Sequence, residues 1–340
     1  MPAETGLSRA TFAKLSPHPF LLANLEPTNH GIPPARSNGR APSEVRPTTV
    51  NVSSLSHPHG SSLVRMGDTT AICGVRGETI LTRDIPNFRA SNRESEIKDY
   101  DLLVPNIELA TGSAPQFLPG GPPTTLAQTL STRIYSLLQD SKLVQCNDLR
   151  IWHKKPSEHA VADDAQMDED DDDEYAREGE EYIAAYWVLY IDIFFISFDG
   201  NPFDAAWAAT LAALRDTKLP QAYYDPDREM VFCRRDDPRP LTIARLPVAC
   251  TAAVFTGKET DRPSDGKYWL LVDPDRLEES LCDESVTIVV DCQGDNVDIL
   301  SISKHGGVFL SPDLLTSTGF FDWAKDRWKG VAAAITEMSA

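Results

Sequence analysis

Apolar and polar residues alternate with a period of two over Thr48–Leu55, Ser61–Met66 and Thr69–Gly77. Turns at His57-Pro-His-Gly60 and Gly67-Asp68 separate these runs, and the pattern predicts a three-stranded antiparallel meander. Tyr182–Phe198 differs: it is almost wholly apolar, rich in aromatic and β-branched residues, and predicts a central strand buried on both faces. It breaks at Asp199-Gly200-Asn201-Pro202 and continues as an Ala/Leu-rich helix from Phe203 to Arg215. Thr124 or Thr125 caps a predicted helix through Leu138, with Leu126, Leu130, Ile134, Leu137 and Leu138 on one face. Shorter strands are expected at Tyr100–Val104 and Leu149–Trp152.

Further along, Leu241–Phe255 and Lys267–Val272 read as strands. Ser285–Asp291 and Asn296–Lys304 read as a hairpin. Asp273–Cys282 is expected to be an acidic loop with a helical turn. A final helix is expected to begin at Ser311-Pro312-Asp313 and run towards Met338. Residues 4–26 predict a helical arm split by Pro17 and Pro19. Residues 79–100 predict a long surface loop, and 220–240 a polar connection. Strands followed by helices, twice over, indicate an α+β architecture of two sequential halves. The expected division is an N-terminal arm over 1–32, a first half over 33–220 and a second half with its C-terminal helix over 221–340.

Charge changes this picture in one place. The formal net charge is −19. Asp163–Glu181 carries 12 acids against the single base Arg177 and accounts for −11 of it. Like charges this dense repel, so a disordered, solvated insertion is expected over about 157–181. The chain as a whole lacks the basic balance of a protein that binds RNA on its own. Six cysteines are scattered without a Cys-x-x-Cys pair and are expected to be reduced core residues. The N-terminus shows no basic-then-apolar signal pattern. The 182–198 run contains Asp192 and is short for a membrane span, so no membrane association is expected. His57 and His59 lie in a strand turn beside Pro58 and Gly60, and no metal site is expected there.

Several motifs in order resemble ribonuclease PH-like proteins: Val45-Arg-Pro-Thr-Thr-Val-Asn-Val, Gly60-Ser-Ser-Leu-Val-Arg-Met-Gly-Asp-Thr-Thr-Ala-Ile-Cys-Gly-Val, the strand-turn-helix at 186–219, Trp269-Leu-Leu-Val-Asp-Pro-Asp-Arg-Leu-Glu-Glu-Ser and Lys304-His-Gly-Gly-Val. The resemblance covers roughly 30–335 and is strongest to the ring subunits of the eukaryotic RNA exosome; the acidic insertion is extra to the pattern. It implies a ribonuclease PH-like fold of mixed β-sheets flanked by helices. It also implies assembly with other ribonuclease PH-like ring subunits, RNA-binding cap proteins, associated nucleases and RNA in a central channel. The implied location is the nucleus and nucleolus, and also the cytoplasm. The implied role is structural support of 3'-to-5' RNA processing and degradation, including ribosomal RNA maturation, with no cofactor.

Phosphorolytic members hold the attacking phosphate on a Gly-Gly-Thr-Arg-type loop at a helix N-terminus, where free N–H groups and an arginine meet the anion. Here Asp199 and Gly200 match, but Asn201 replaces glycine, Pro202 threonine, Phe203 the arginine and Ala206 a serine. Pro202 removes a donor, Phe203 removes the cationic fork and Asp204 adds a repelling charge. Asn201, Pro202 and Asp204 instead predict a plain helix start, with Asn201 as N-cap. The family's acid pair maps onto Asp273 and Glu279, expected to be vestigial. Arg83, Arg89 and Arg93 are candidates for RNA contact. Arg40 and Arg46 are candidates for structural or subunit-interface roles. The competing expectation is a phosphorolytic 3'-5' exoribonuclease.

Overall fold

The computed structural model describes residues 8–28, 31–92, 95–119, 121–154, 181–257, 268–294, 296–306, 316 and 319–338. The acidic insertion, Arg93 and the expected helix start at Ser311 lie outside them.

The first half is organised on β6 (Glu181–Ser197). One edge of β6 pairs antiparallel along its length with β3 (Thr69–Leu81). Beyond β3 follow β2 (Gly60–Met66) and β1 (Thr48–Val52), so the expected meander is present. The other edge of β6 is shared. Its first part pairs antiparallel with β5 (Arg150–Lys154), and its second part pairs parallel with β4 (Leu103–Leu109).

The sequence reading of β6 needs one correction. Ala184–Leu189 is buried throughout, but Ile191, Ile193 and Phe195 are buried while Asp192, Phe194 and Ile196 are exposed. The early part is covered on its second face by Phe88 and Tyr100, whose rings contact Tyr186. Among the described residues the later part has no such cover, and Phe194 is 37% and Ile196 45% exposed. The segment expected to be a loop over 79–100 supplies that cover. β3 runs on to Leu81, and α3 (Glu96–Asp99) buries Glu96. Glu96 accepts hydrogen bonds from Tyr186 Oη and Arg150 Nε, both at 2.9 Å.

Helix α6 (Pro202–Asp216) is buried from Pro202 to Leu214. Small alanines let it lie close to β2 and β3 on one side and to β9 (Val248–Thr256) on the other. Ser62 Oγ donates to Ala209 O at 2.7 Å, and Trp207 Nε1 donates to Pro247 O at 2.7 Å. This helix therefore joins the two halves in one core. The second half is a four-stranded antiparallel sheet ordered β10 (Tyr268–Val272), β9, β11 (Glu284–Gln293), β12 (Asn296–His305). Two helices complete its packing: α7 (Arg276–Leu281), with an Asp275–Glu278 capping box, and α8 (Phe320–Met338), against β9, β11 and β1. At the N-terminus, α1 (Arg9–Leu15) and α2 (Pro17–Leu25) form the split arm, with Leu21 and Leu25 packed on Phe255 and Leu271. Helix α4 (Thr125–Ser141), capped by Thr124, lies on β4, and α5 (Cys146–Leu149) leads into β5.

The polar connection expected over 220–240 is instead a two-stranded antiparallel ribbon, β7 (Lys218–Asp225) with β8 (Met230–Pro240). It straddles position 220. Polar side chains on an exposed ribbon erase the period-two signal that betrays half-buried strands. Cys233 is exposed on β8, contrary to the expected core position, whereas Cys73, Cys250 and Cys292 are buried. No helix among the described residues is long and apolar enough to cross a membrane.

Gly60 lets α6 approach the sheet closely: a Cβ there would lie 2.5 Å from Thr217 Cα and 2.6 Å from Ala213 O. Gly60→Ala is expected to cost about 1–3 kcal/mol through overpacking, read as a lowered denaturant midpoint at unchanged m-value.

Candidate functional site

The 199–204 turn links β6 to α6 and meets the 273–279 segment of the second half. Gly200 (φ +76°) is required here, since a Cβ would lie 2.5 Å from Asp275 C and 2.6 Å from Arg276 N. Asn201 follows in the left-handed region (φ 49°, ψ 52°). It occupies the N-cap position, but its side chain makes no capping bond, which corrects the expected plain cap. The reversal needed to pass the 274–276 backbone consumes the extended geometry that an N-cap uses. Asn201 Nδ2 instead donates to Asp204 Oδ2 (3.0 Å) and Asp273 Oδ1 (2.8 Å). Asp204 is buried and also accepts from Thr251 N (3.0 Å) and Thr251 Oγ1 (2.6 Å).

The two candidate acids both reach this turn, in different states. Asp273 is buried and grips Arg46, whose Nη2 and Nε donate to its two carboxylate oxygens at 2.8 and 3.0 Å. Arg46 N adds a bond at 2.8 Å. Burial alone would raise this carboxyl, but the Arg46 hydrogen bonds and charge outweigh it and hold Asp273 at about 2. Glu279 Oε1 accepts the Asn201 N–H at 2.7 Å. Burial dominates there and pushes Glu279 up to about 7, against that bond and Arg46. Asp273 has both oxygens engaged, so it is poorly placed to ligate a cation. Among the described residues no cluster of three acidic, histidine or cysteine side chains has metal-binding geometry. His59 Nδ1 accepts the Gly77 N–H at 3.0 Å.

Arg133 of α4 lies over the Phe203 ring, with Cζ 3.9 Å from the ring centroid. Arg133 Nη2 donates to Thr287 Oγ1 (3.0 Å) and Ser303 Oγ (3.2 Å). A cavity of about 250 Å³ remains, lined by Arg133, Asn201, Phe203, Thr251 and Glu279 among others. Sequence reasoning missed Arg133. The signal was present, because Leu126, Leu130, Arg133 and Leu137 share one helix face and the arginine interrupts an apolar stripe.

Arg46 and Arg40 are turned inward. Arg46 Nη1 also donates to Asp199 O (2.7 Å), and Arg40 lies 3.7 Å from Asp273 Oδ2 and 3.6 Å from Glu278 Oε2. Arg36, not singled out from the sequence, is fully buried and donates to Glu278 Oε2 at 3.2 Å. Arg83 and Arg89 lie elsewhere, beyond the far end of β3 from the turn. Arg83 is exposed and paired with Glu229 at the β7–β8 turn, while Arg89 is exposed with its N–H bonded to Tyr100 Oη.

Asp273→Asn or Arg46→Ala alone leaves a buried charge unpaired and is expected to cost about 3–5 kcal/mol. Replacing both with apolar residues is expected to cost less than the sum of the single changes, measured by denaturant unfolding in a double-mutant cycle. A second expected outcome concerns pH. The folded-state value of Glu279 lies above its unfolded value. Its contribution is therefore fully present below about pH 4.5 and is lost as pH rises through about 7. Glu279→Gln keeps the acceptor for Asn201 N and is expected to flatten the fall in Tm between pH 5 and 8.

Comparison with known proteins gives these features a family. Residues 44–220 match domain 1 of the 3' exoribonuclease family (RNase PH), and residues 245–317 match its domain 2. The exosome complex component rrp43 of Schizosaccharomyces pombe is 32% identical over 304 residues, covering 89% of this chain and 90% of the relative. The exosome complex component Rrp42 of Methanopyrus kandleri is 30% identical over 260 residues, covering 76% and 77%. A chain of the Archaeoglobus fulgidus exosome solved with RNA bound to its active site shares the fold at TM-score 0.63. It is 23% identical, with 93% of this chain and 96% of that chain covered. By these matches, and by its two-half fold joined through α6, the chain belongs to the 3' exoribonuclease (RNase PH) family.

Proposed function

We propose that this chain is a non-catalytic ring subunit of an RNA exosome. It supports 3'-to-5' RNA processing and degradation, ribosomal RNA maturation included, by ring assembly, cap docking and RNA threading. One observation carries the non-catalytic reading: the Glu279 carboxylate occupies the Asn201 N–H where a relative's phosphate would sit. Around it, Pro202 has no N–H to offer, and Arg133 lies over Phe203 with its Nη2 bonded to two hydroxyls. The cavity beside the Asn201 N–H is lined by Glu279, Asp283 and Glu284 as well as by Arg133, so an anion here faces more acidic than basic side chains. The names of the relatives support the exosome reading. The proposed partners are other RNase PH-like ring chains, RNA-binding cap proteins, an associated nuclease and RNA. The proposed location is nuclear and nucleolar, and also cytoplasmic.

The test has two arms. Purified chain mixed with single-stranded RNA, magnesium and phosphate is expected to release no nucleoside diphosphate. Co-expressed with RNase PH-like ring chains, it is expected to enter an assembly detected by native mass measurement. Phosphate-dependent diphosphate release, abolished by Glu279→Gln, would establish the phosphorolytic alternative instead.

A further inference from the structure

The β7–β8 ribbon carries a feature that the 199–204 turn does not use. Opposed residues of an antiparallel pair share a face. The pairs Gln221–Arg234, Tyr223–Phe232 and Asp225–Met230 therefore form one face, and Ala222–Cys233 and Tyr224–Val231 the other. The second face turns to β5, where Tyr224 meets His153 edge-on. On the first face Tyr223 is 42% exposed and Met230 48%. The Tyr223 and Phe232 rings are stacked, with centroids 5.7 Å apart and planes within 22°. Arg234 lies 5.2 Å from the Tyr223 centroid, and Arg228 lies 5.5 Å from the Phe232 centroid. The result is a ladder of arginine, tyrosine, phenylalanine and arginine, exposed except at the half-buried Phe232.

The arginines of the ladder select its occupant. Among the described residues, neither Arg228 nor Arg234 has an ion-pair partner, unlike Arg36, Arg46, Arg83 and Arg150. Among the described residues no acid of the ribbon is ion-paired with either, although Asp225 shares their face. Asp225 Oδ1 caps the turn by accepting the N–H groups of Asp227 and Arg228, and Glu229 is taken by Arg83. Asp227 lies in the turn itself, and Asp236 and Asp237 lie beyond Arg234 on β8. A guanidinium held by a ring keeps N–H groups available to a phosphate. An aromatic stack flanked by arginines without ion-pair partners suits single-stranded nucleic acid, whose bases extend the stack as the guanidiniums turn to its backbone.

We propose that the outer face of the β7–β8 ribbon is a stacking platform for single-stranded RNA, with Tyr223 and Phe232 taking bases and Arg228 and Arg234 taking phosphates. This deepens the exosome reading and rests on it for the choice of RNA. The full-length chain is titrated against a fluorescein-labelled oligouridylate by anisotropy over a salt series. Tyr223→Ala/Phe232→Ala is expected to weaken binding about tenfold or more, from about 1–3 kcal/mol of stacking per base. Arg228→Gln/Arg234→Gln is expected to lower the slope of log K against log salt by about 1.4, about 0.7 for each phosphate left unneutralised. Unchanged melting temperatures exclude misfolding, and the arginine pair decides if the aromatic pair melts early. The platform is overturned if wild type does not bind, or if both double variants bind as wild type does. It is likewise overturned if the variants retain RNA binding but drop out of the co-expressed assembly, which would make the face a protein interface. Failure of the wild-type chain to enter that assembly counts against the exosome reading alone.

Discussion

The structure depends on one buried contact, the grip of Arg46 on Asp273. Arg46 leaves the N-terminal segment just before β1, and Asp273 ends β10 in the second half. The same guanidinium also donates to Asp199 O at the end of β6. One side chain thus ties three separate parts of the chain, and Arg36 to Glu278 repeats the tie a few residues away. A buried ion pair does little for net stability, because desolvation consumes much of the attraction. Its effect here is on geometry. Bidentate bonding with a further backbone bond fixes Asp273 in direction as well as distance. The 199–201 turn must then bend around the 274–276 backbone, which is why Gly200 and Asn201 both adopt positive φ.

The same constraint sets the chemistry of the turn. A strand, a reversal and a helix N-terminus are all present, and both candidate acids reach the turn. Asp273 is held ionised by its arginine, so it cannot act as an acid near neutrality. Glu279 is pushed the other way by burial and accepts the Asn201 N–H. Two carboxylates whose environments separate their titrations can mark a catalytic pair. Here the separation has a plain physical origin, an arginine that lowers one carboxyl and burial that raises the other.

Much of this fold is legible in the sequence where burial is one-sided. The meander, the second-half hairpin and the split N-terminal arm each leave a clear period or a proline break. Reading fails where tertiary cover decides. β6 looks uniformly apolar, yet its exposed Phe194 and Ile196 differ from Tyr186 only because Phe88 and Tyr100 reach one end of the strand. The β7–β8 ribbon is invisible because its residues are polar or mixed on both faces. At the site, the substitutions at 201–203 are readable one by one. The left-handed Asn201, the Glu279 plug and Arg133 over Phe203 all depend on which segments meet, and no local pattern encodes that.

The arginines show how one residue type divides its work. Arg36 and Arg46 are buried against acids, and Arg133 is held between a ring and two hydroxyls. Each is already satisfied, so bringing RNA to them would break a bond for each one made. Arg83 is exposed but paired, and an exposed pair gives up little when a phosphate replaces its acid. Arg228 and Arg234 differ because aromatic rings, not carboxylates, fix them in place. A ring orients a guanidinium without neutralising it, so the full charge remains to displace counterions from a nucleic acid backbone. In a chain of net charge −19, whole-molecule attraction for RNA is absent. Affinity must then come from a few oriented cations within a Debye length of the strand, and the exposed face of the ribbon holds two beside stacked rings.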